Sequence, residues 1–86
     1  MKKNYTKQEI LEIMDPLMPK ALSFVMENQR VSVASIQKEF TISYPRASRI
    51  VDQMEEFVFI ESETIRSRKI LIENEQYKDL FGDQND

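Results

Sequence analysis

Apolar residues recur at helical spacing along most of the chain and predict a series of helices. Thr6 and Glu9 fit a capping box, so a first helix starts at Thr6 and ends near Asp15. Its apolar side carries Ile10, Leu11 and Met14.

A second helix is predicted after the Asp15-Pro16 pair, because Asp is a good N-cap and Pro is tolerated at the first helical position. Pro19 delays the regular helix to about residue 18. The helical spacing continues to about Asn28 through Leu17, Ala21, Leu22, Val25 and Met26.

Two further helices are predicted on either side of the connector 41–43. Ser32 is the predicted N-cap of the third helix, and Val33, Ile36 and Phe40 share one of its faces. Ile42 is apolar in an otherwise polar connector, so we expect the turn to be packed into the core. The fourth helix runs from about 44 to 57, with Ala47, Ile50, Val51 and Met54 facing inward.

β-prone residues predict a hairpin after the fourth helix, with strands in 57–60 and 68–72. The connector between them lacks Gly and Asn, so we expect a longer loop than a two-residue turn. The run 29–31 favours a short edge strand. The predicted core comprises Ile36, Phe40, Ile42, Ile50, Val51, Met54 and Leu71.

This order of elements indicates a mainly α fold with a small β-hairpin, specifically a winged helix-turn-helix with a three-helix core, a wing and an extra N-terminal helix. A generic small α+β domain is the alternative. The predicted organisation is an N-terminal helical extension (1–14), a winged-helix domain (15–72) and an acidic C-terminal tail (73–86). The tail could restrain a basic face, or it could be anchored elsewhere by Tyr77, Leu80 and Phe81.

The composition argues against an enzyme. The 86 residues include no His, no Cys and one Gly, Gly82, which excludes a catalytic His or Cys and a glycine-rich phosphate loop. We therefore predict no catalytic residues, no metal and no cofactor. No apolar run approaches the roughly 18 residues of a membrane span. These features favour a cytoplasmic protein that does not contact a membrane.

The net charge of −3 is unevenly distributed. Five acidic residues and one lysine give residues 73–86 a charge of −4, which leaves +1 for the rest. Residues 30–49 alone carry +3. This basic segment favours a binding surface for a polyanion.

Arg46, Arg49 and Gln53 fall on one face of the fourth helix, opposite its apolar residues. The N-terminal part of the second helix of a helix-turn-helix enters the DNA major groove. Arginine suits this position because its planar fork can donate two hydrogen bonds to guanine. Two arginines on a solvated helix face are the plain alternative, but the preceding helix and the following hairpin favour DNA.

The segment from Asp15 to Ile72 resembles the gamma domain of the FtsK/SpoIIIE DNA translocases. The resemblance rests on Asp15-Pro16-Leu17 with Ala21, on SVASIQKEFTISYPRASR from Ser32 to Arg49, and on Arg68-x-Ile70-Leu71 in the wing. It implies a small winged helix that reads short oriented DNA sequences. The family's Gly before Tyr is Ser43 here, and its Asn before Arg is Pro45, so one side-chain contact to DNA is lost. The family's Gly after the third helix of the domain is Val58, which disfavours a left-handed helix stop.

From the residues and this resemblance we predict that the chain binds double-stranded DNA. If the chain is complete, it is a gamma-like module standing alone, without the motor. Base reading is predicted for Arg46, Arg49, Ser48 and Gln53, and phosphate binding for Ser32, Gln37, Lys38, Arg66, Arg68 and Lys69. The alternative is a protein-interaction or adaptor module with the same fold, which binds a recombinase or translocase or forms a homodimer.

Overall fold

Five α-helices and one β-hairpin make up the described part of the chain, residues 4–64 and 67–82 of a computed structural model. The elements are α1 (Lys7–Ile13), α2 (Met18–Asn28), α3 (Val33–Phe40), α4 (Tyr44–Glu56), β1 (Ile60–Ser62), β2 (Arg68–Ile70) and α5 (Asn74–Phe81). The predicted fold class, a mainly α winged helix with an extra N-terminal helix, is confirmed. Helices α3 and α4 form the helix-turn-helix, and the hairpin forms the wing.

Side-chain caps fix the starts of three helices, two of which, at Thr6 and Ser32, the sequence predicts. Thr6 Oγ1 accepts a hydrogen bond from the Glu9 amide at 3.1 Å, and Glu9 Oε1 accepts from the Thr6 amide at 2.9 Å. Ser32 caps α3 by accepting from the Ser35 amide at 3.1 Å. Ser43 caps α4 in the same way, from the Arg46 amide at 3.4 Å.

The core lies between α2, α3, α4 and the wing. Ile36, Ile50, Val51 and Met54 are buried as predicted. Phe40 and Ile42 are only half-buried, although both pack against the core. The largest fully buried side chains are Phe59, Met18, Leu22, Ile36, Ile50, Met54, Ile60 and Val25.

Helix α4 ends in a left-handed residue, which the sequence did not favour. Val58 has φ +64°, and its amide donates to the Glu55 carbonyl at 3.1 Å. The Phe59 amide donates to the Met54 carbonyl at 2.8 Å, which completes a Schellman motif. The expectation that Val58 disfavours this stop is therefore wrong. Phe57 and Phe59 flank Val58 and are both buried, so their packing compensates for the unfavourable backbone of a β-branched residue.

The wing begins later than predicted. Residues 57–59 form the turn that follows α4 rather than a strand, and β1 pairs with β2 in antiparallel register, with Ile60 opposite Ile70. The connector 63–67 is a longer loop, as expected, closed by a hydrogen bond from the Glu63 amide to the Ser67 carbonyl at 2.9 Å.

One core prediction in the wing is wrong, at the end of β2. The Phe59 carbonyl accepts from both the Leu71 amide, at 2.8 Å, and the Ile72 amide, at 3.0 Å. Two residues therefore oppose one, as in a β-bulge. Ile70 and Ile72, two residues apart, both pack on the core, so Leu71 between them belongs to the other face. Ile72 is buried, whereas Leu71 is half-exposed rather than in the core.

The predicted edge strand at 29–31 is also wrong. Gln29 has φ +57° and caps the end of α2, so it cannot belong to an extended strand. Val31 is buried in the core, which accounts for an apolar residue at this position without a strand.

Helices α1 and α5 both pack on the winged helix. Ile10 of α1 and Leu80 and Phe81 of α5 belong to the core cluster. The Tyr77 hydroxyl donates to the Pro19 carbonyl at 2.9 Å, and its ring lies 4.9 Å from that of Phe81. The C-terminal segment is thus anchored by the residues proposed for that role. The domain boundaries at 14/15 and 72/73 remain predictions.

Candidate functional site

The candidate site is built on the N-terminal half of α4. Pro45 lies in the first turn, where an amide hydrogen has no helical partner and none is needed. Ala47, Ile50, Val51 and Met54 attach α4 to the core, as predicted. The opposite side of the helix is left for contact with a ligand.

Arg49 lies on the outward side of α4 and is exposed. Asp52, one turn further along, is exposed as well, and Ser48 is half-buried. Tyr44, at the start of the helix, keeps 59% of its surface exposed. Arg49 and Ser48 therefore lie where a DNA groove could reach them.

Arg46 is engaged within the protein. Its Nε donates to Asp15 Oδ2 at 3.2 Å, and its Nη2 donates to Asp15 Oδ1 at 3.0 Å. The Asp15 side chain is 6% exposed, while that of Arg46 is 40% exposed. The pair thus has a buried acidic side and a basic side in contact with solvent.

Gln53 lies two turns further along α4 than Arg46. Like Arg46, it bonds to the connector between α1 and α2, which contains Asp15. Its Oε1 accepts from the Asp15 amide at 2.8 Å, and its Nε2 donates to the Ile13 carbonyl at 3.0 Å. Asp15 Oδ1 also accepts from the Leu17 amide at 2.8 Å. Helix α4 therefore holds this connector at two points.

The environment of Asp15 favours its charged form. The hydrogen bond from Arg46 is the main cause that lowers the pKa of Asp15, assisted by the Leu17 amide and by the charges of Arg46 and Arg49. Burial acts in the opposite direction but is outweighed. The same hydrogen bond raises the pKa of Arg46, so the ion pair is intact at neutral pH.

Sequence reasoning treated Asp15 only as a helix cap and missed its pairing with Arg46. The two residues are 31 positions apart, so no local pattern connects them. A usable signal was the apolar surroundings of Asp15, between Met14 and Leu17, because a carboxylate that becomes buried needs a partner.

The described residues among those predicted to bind phosphate lie at the N-cap of α3, within α3 and on β2. Ser32 caps α3, Gln37 is half-buried, and Lys38 is exposed in the last turn. Lys69 is exposed on β2. Arg68 is half-buried, and its buried Nε has no hydrogen-bond partner within residues 4–64 and 67–82. Arg66 lies outside the described residues.

The C-terminal half of α4 is acidic, unlike its N-terminal half. Glu55 accepts a hydrogen bond from the Ser62 hydroxyl, and Glu56 accepts one from the Tyr5 hydroxyl. Hydrogen bonding to Glu56 is the main cause that raises the pKa of Tyr5. A polyanion would therefore be favoured only near the start of α4.

Neither a metal centre nor a membrane span is found in the part of the chain that the structure describes. No group of three or more carboxylates there is arranged to hold a metal ion. None of the helices there is long and apolar enough to cross a membrane.

Comparisons with known proteins identify a family and several relatives. The family model of the FtsK gamma domain matches residues 12–73. The chain is 38% identical over 64 residues to the DNA translocase FtsK of Haemophilus influenzae. This aligned segment covers 74% of this chain and 12% of that protein. It is 34% identical over 70 residues to the DNA translocase SpoIIIE of Bacillus subtilis. This aligned segment covers 80% of this chain and 9% of that protein.

A shorter match gives higher identity. The chain is 51% identical over 41 residues to the DNA translocase FtsK of Shewanella oneidensis, which covers 48% of this chain and 4% of that protein. The chain therefore spans no more than 12% of the length of these relatives.

Proposed function

The chain belongs to the FtsK gamma domain family, and from that premise we propose that it binds double-stranded DNA through the N-terminal half of α4. The observation that carries the proposal is the outward Arg49, exposed in the first half of the second helix of a helix-turn-helix. In this architecture that part of the helix enters the major groove. The proposal is limited to DNA binding and includes no motor step.

Base reading is assigned to Arg46, Arg49 and Ser48. Each arginine can donate two hydrogen bonds to guanine N7 and O6, and the Ser48 hydroxyl can donate or accept. Gln53 has both ends of its amide bonded to the α1–α2 connector. Its role in the proposed site is therefore to hold this connector in place beside α4.

Phosphate binding is assigned to groups on the elements before and after α4 in the chain. On the helix before α4 these are Ser32, at the N-cap of α3, and Gln37 and Lys38 within α3, and in the wing they are Arg68 and Lys69 of β2. Arg66 is assigned the same role from the sequence alone. Such contacts supply affinity and fix the orientation on the duplex, whereas base contacts supply sequence preference.

The test is a selection from random duplex DNA with the purified full-length chain, followed by titration of the enriched and scrambled duplexes. Replacing Arg49 by Ala should cost roughly 1–3 kcal/mol on the enriched duplex and much less on the scrambled one. Absence of any DNA binding at low salt would refute the proposal. Equal losses on both duplexes would restrict Arg49 to phosphate contact.

A further inference from the structure

We propose that Asp15 is a positioning residue for DNA recognition, which fixes the Arg46 guanidinium so that its outer edge is presented to a guanine. This inference rests on the proposed DNA binding, and it assigns a specificity role to a residue outside the helix-turn-helix. It also predicts that Arg46 meets its base as a side chain already held in place, whereas Arg49 becomes ordered only on binding.

The geometry of the ion pair leaves the edge of Arg46 that base recognition needs. A guanidinium has five N–H donors in one plane. Asp15 takes one from Nε and one from Nη2, at 3.2 and 3.0 Å. The edge formed by Nη1 and the second hydrogen of Nη2 is not used by Asp15, and it carries two parallel donors. Guanine N7 and O6 accept two such donors in the major groove.

Asp15 is itself held rigidly, as a positioning group must be. Its side chain is 6% exposed, and Oδ1 accepts from the Leu17 amide at 2.8 Å. Its own amide donates to Gln53 Oε1 at 2.8 Å, and Gln53 belongs to the same helix as Arg46. The carboxylate and the helix that carries Arg46 are thus fixed relative to each other.

Fixing Arg46 before binding favours selectivity over general affinity. A long side chain that is already ordered loses less conformational freedom when it meets its base. At the same time, the Asp15 charge offsets that of Arg46 and weakens attraction to phosphates of any sequence. Arg49 is exposed and is bonded to no carboxylate within the described residues, so its side chain is less constrained than that of Arg46.

The experiment compares Asp15→Asn with Asp52→Asn, since both remove one negative charge and Asp52 is an exposed residue of α4 outside the network. The duplexes are the enriched one and versions in which each G·C pair is replaced in turn by A·T. Asp15→Asn and Arg46→Ala should both reduce discrimination at the same base pair, by about tenfold, the order expected for one bidentate pair. Asp52→Asn should keep the full discrimination. Both amide variants should gain similarly on scrambled DNA.

Three results would overturn the inference in distinguishable ways. Unchanged discrimination in Asp15→Asn, with a loss in Arg46→Ala, would remove the positioning role and leave the proposed function intact. A gain of Asp15→Asn on the enriched duplex beyond that of Asp52→Asn would make Asp15 a competitor of DNA. Wild-type protein that binds no DNA would refute the proposed function itself.

A measurement on the unmodified chain covers the case in which Asp15→Asn does not fold. The Arg46 Nε–H signal is followed by NMR as the enriched duplex is added. If Asp15 positions Arg46, this hydrogen stays bonded and exchanges more slowly with solvent in the complex. Faster exchange on binding would mean that Arg46 leaves Asp15, which contradicts the inference.

Discussion

At the scale of single residues, Val58 combines a left-handed backbone with a β-branched side chain that disfavours it. Its φ of +64° lies in the left-handed region, which costs an L-residue roughly 1–2 kcal/mol and is especially unfavourable for a β-branched side chain. We expect Val58→Gly to raise the free energy of unfolding by about 1 kcal/mol, after the greater flexibility of Gly in the unfolded chain is deducted. Urea denaturation followed by circular dichroism measures this change.

Val58→Ala is the matched control for this prediction. It removes the two Cγ methyl groups but keeps the Cβ atom, which causes most of the left-handed penalty. The gain should therefore be much smaller than with Gly. Equal gains from both substitutions would show that the side chain, and not the backbone, is the source of the cost.

The two arginines of α4 should differ in what they contribute to folding. Arg46→Ala leaves the Asp15 carboxylate, which is 6% exposed, without its charged partner, whereas Arg49→Ala removes an exposed side chain. We expect a lower thermal midpoint for Arg46→Ala and little change for Arg49→Ala. Equal midpoints would contradict a structural role for the ion pair.

The pKa of Asp15 gives this ion pair a defined pH dependence. Arg46 lowers the pKa of Asp15 in the folded protein below the ordinary value of 3.8. The stabilisation is therefore complete above pH 3.8 and is lost as the pH falls through the lower, folded value. Arg46→Ala should make the acid side of the stability profile less steep. Acid titrations of the parent and of Arg46→Ala, monitored by circular dichroism, measure this difference. Parallel profiles would show that the ion pair does not contribute to stability.

At the scale of elements, the helices were predictable because local side chains define them. Thr6, Ser32 and Ser43 cap their helices within three residues, and apolar spacing set the inward face of α4. The wing was predicted less well, because Val58 and the bulge at Leu71 and Ile72 depend on burying distant side chains. Propensity does not report such packing.

The same distinction applies to the candidate site. The outward position of Arg49 followed from the helical phase alone. The pairing of Arg46 with Asp15, and of Gln53 with the α1–α2 connector, depends on how helices far apart in sequence meet. Their assignment to DNA remains a prediction.

Helix α5 is an integral part of the fold, so its removal should destabilise the protein. A chain that ends at Ile72 exposes the sites of Leu80 and Phe81, each 8% exposed. Burial of such side chains contributes roughly 1.5–3 kcal/mol each, and we expect a loss of about 3–6 kcal/mol in unfolding free energy. Thermal unfolding measures this loss. An unchanged midpoint would show that α5 is dispensable.

Restraint of DNA binding by the acidic segment therefore needs a test that keeps α5 intact. Glu75→Gln with Asp79→Asn removes two exposed charges and retains the buried face of the helix. If these charges repel DNA or cover the basic face, the double variant should bind more tightly at low salt than the parent. Equal affinities would leave α5 with a structural role.

At the scale of the whole molecule, charge is separated along the surface. Arg46 and Arg49 lie in the first half of α4, whereas Glu55 and Glu56 lie at its C-terminal end; on the neighbouring elements Lys38 adjoins Glu39, and Lys69 lies opposite Glu61. Such separation lets a protein of net charge −3 attract a polyanion on one side.

Salt dependence should report the number of phosphates contacted. Each contact contributes about −0.9 to the slope of log affinity against log salt, so contacts from Lys38, Arg66, Arg68 and Lys69 predict a slope near −3.6. Lys69→Ala should reduce the slope by about 0.9 and weaken binding to enriched and scrambled duplexes alike. Titrations at several salt concentrations measure both effects. A change confined to the enriched duplex would instead assign Lys69 to base reading.

The contact between α1 and α5 brings distant parts of the chain together, with Lys7 Nζ 3.6 Å from Asp79 Oδ1. A short flexible linker could therefore join the two helices, and new chain ends could be opened between β1 and β2, beside the exposed Glu63 and Thr64. A circular permutant of this kind would move a fusion partner or fluorophore from beside α1 to the tip of the wing. If the duplex is bound as proposed, a reporter attached there would lie beside it and would sense each association event directly.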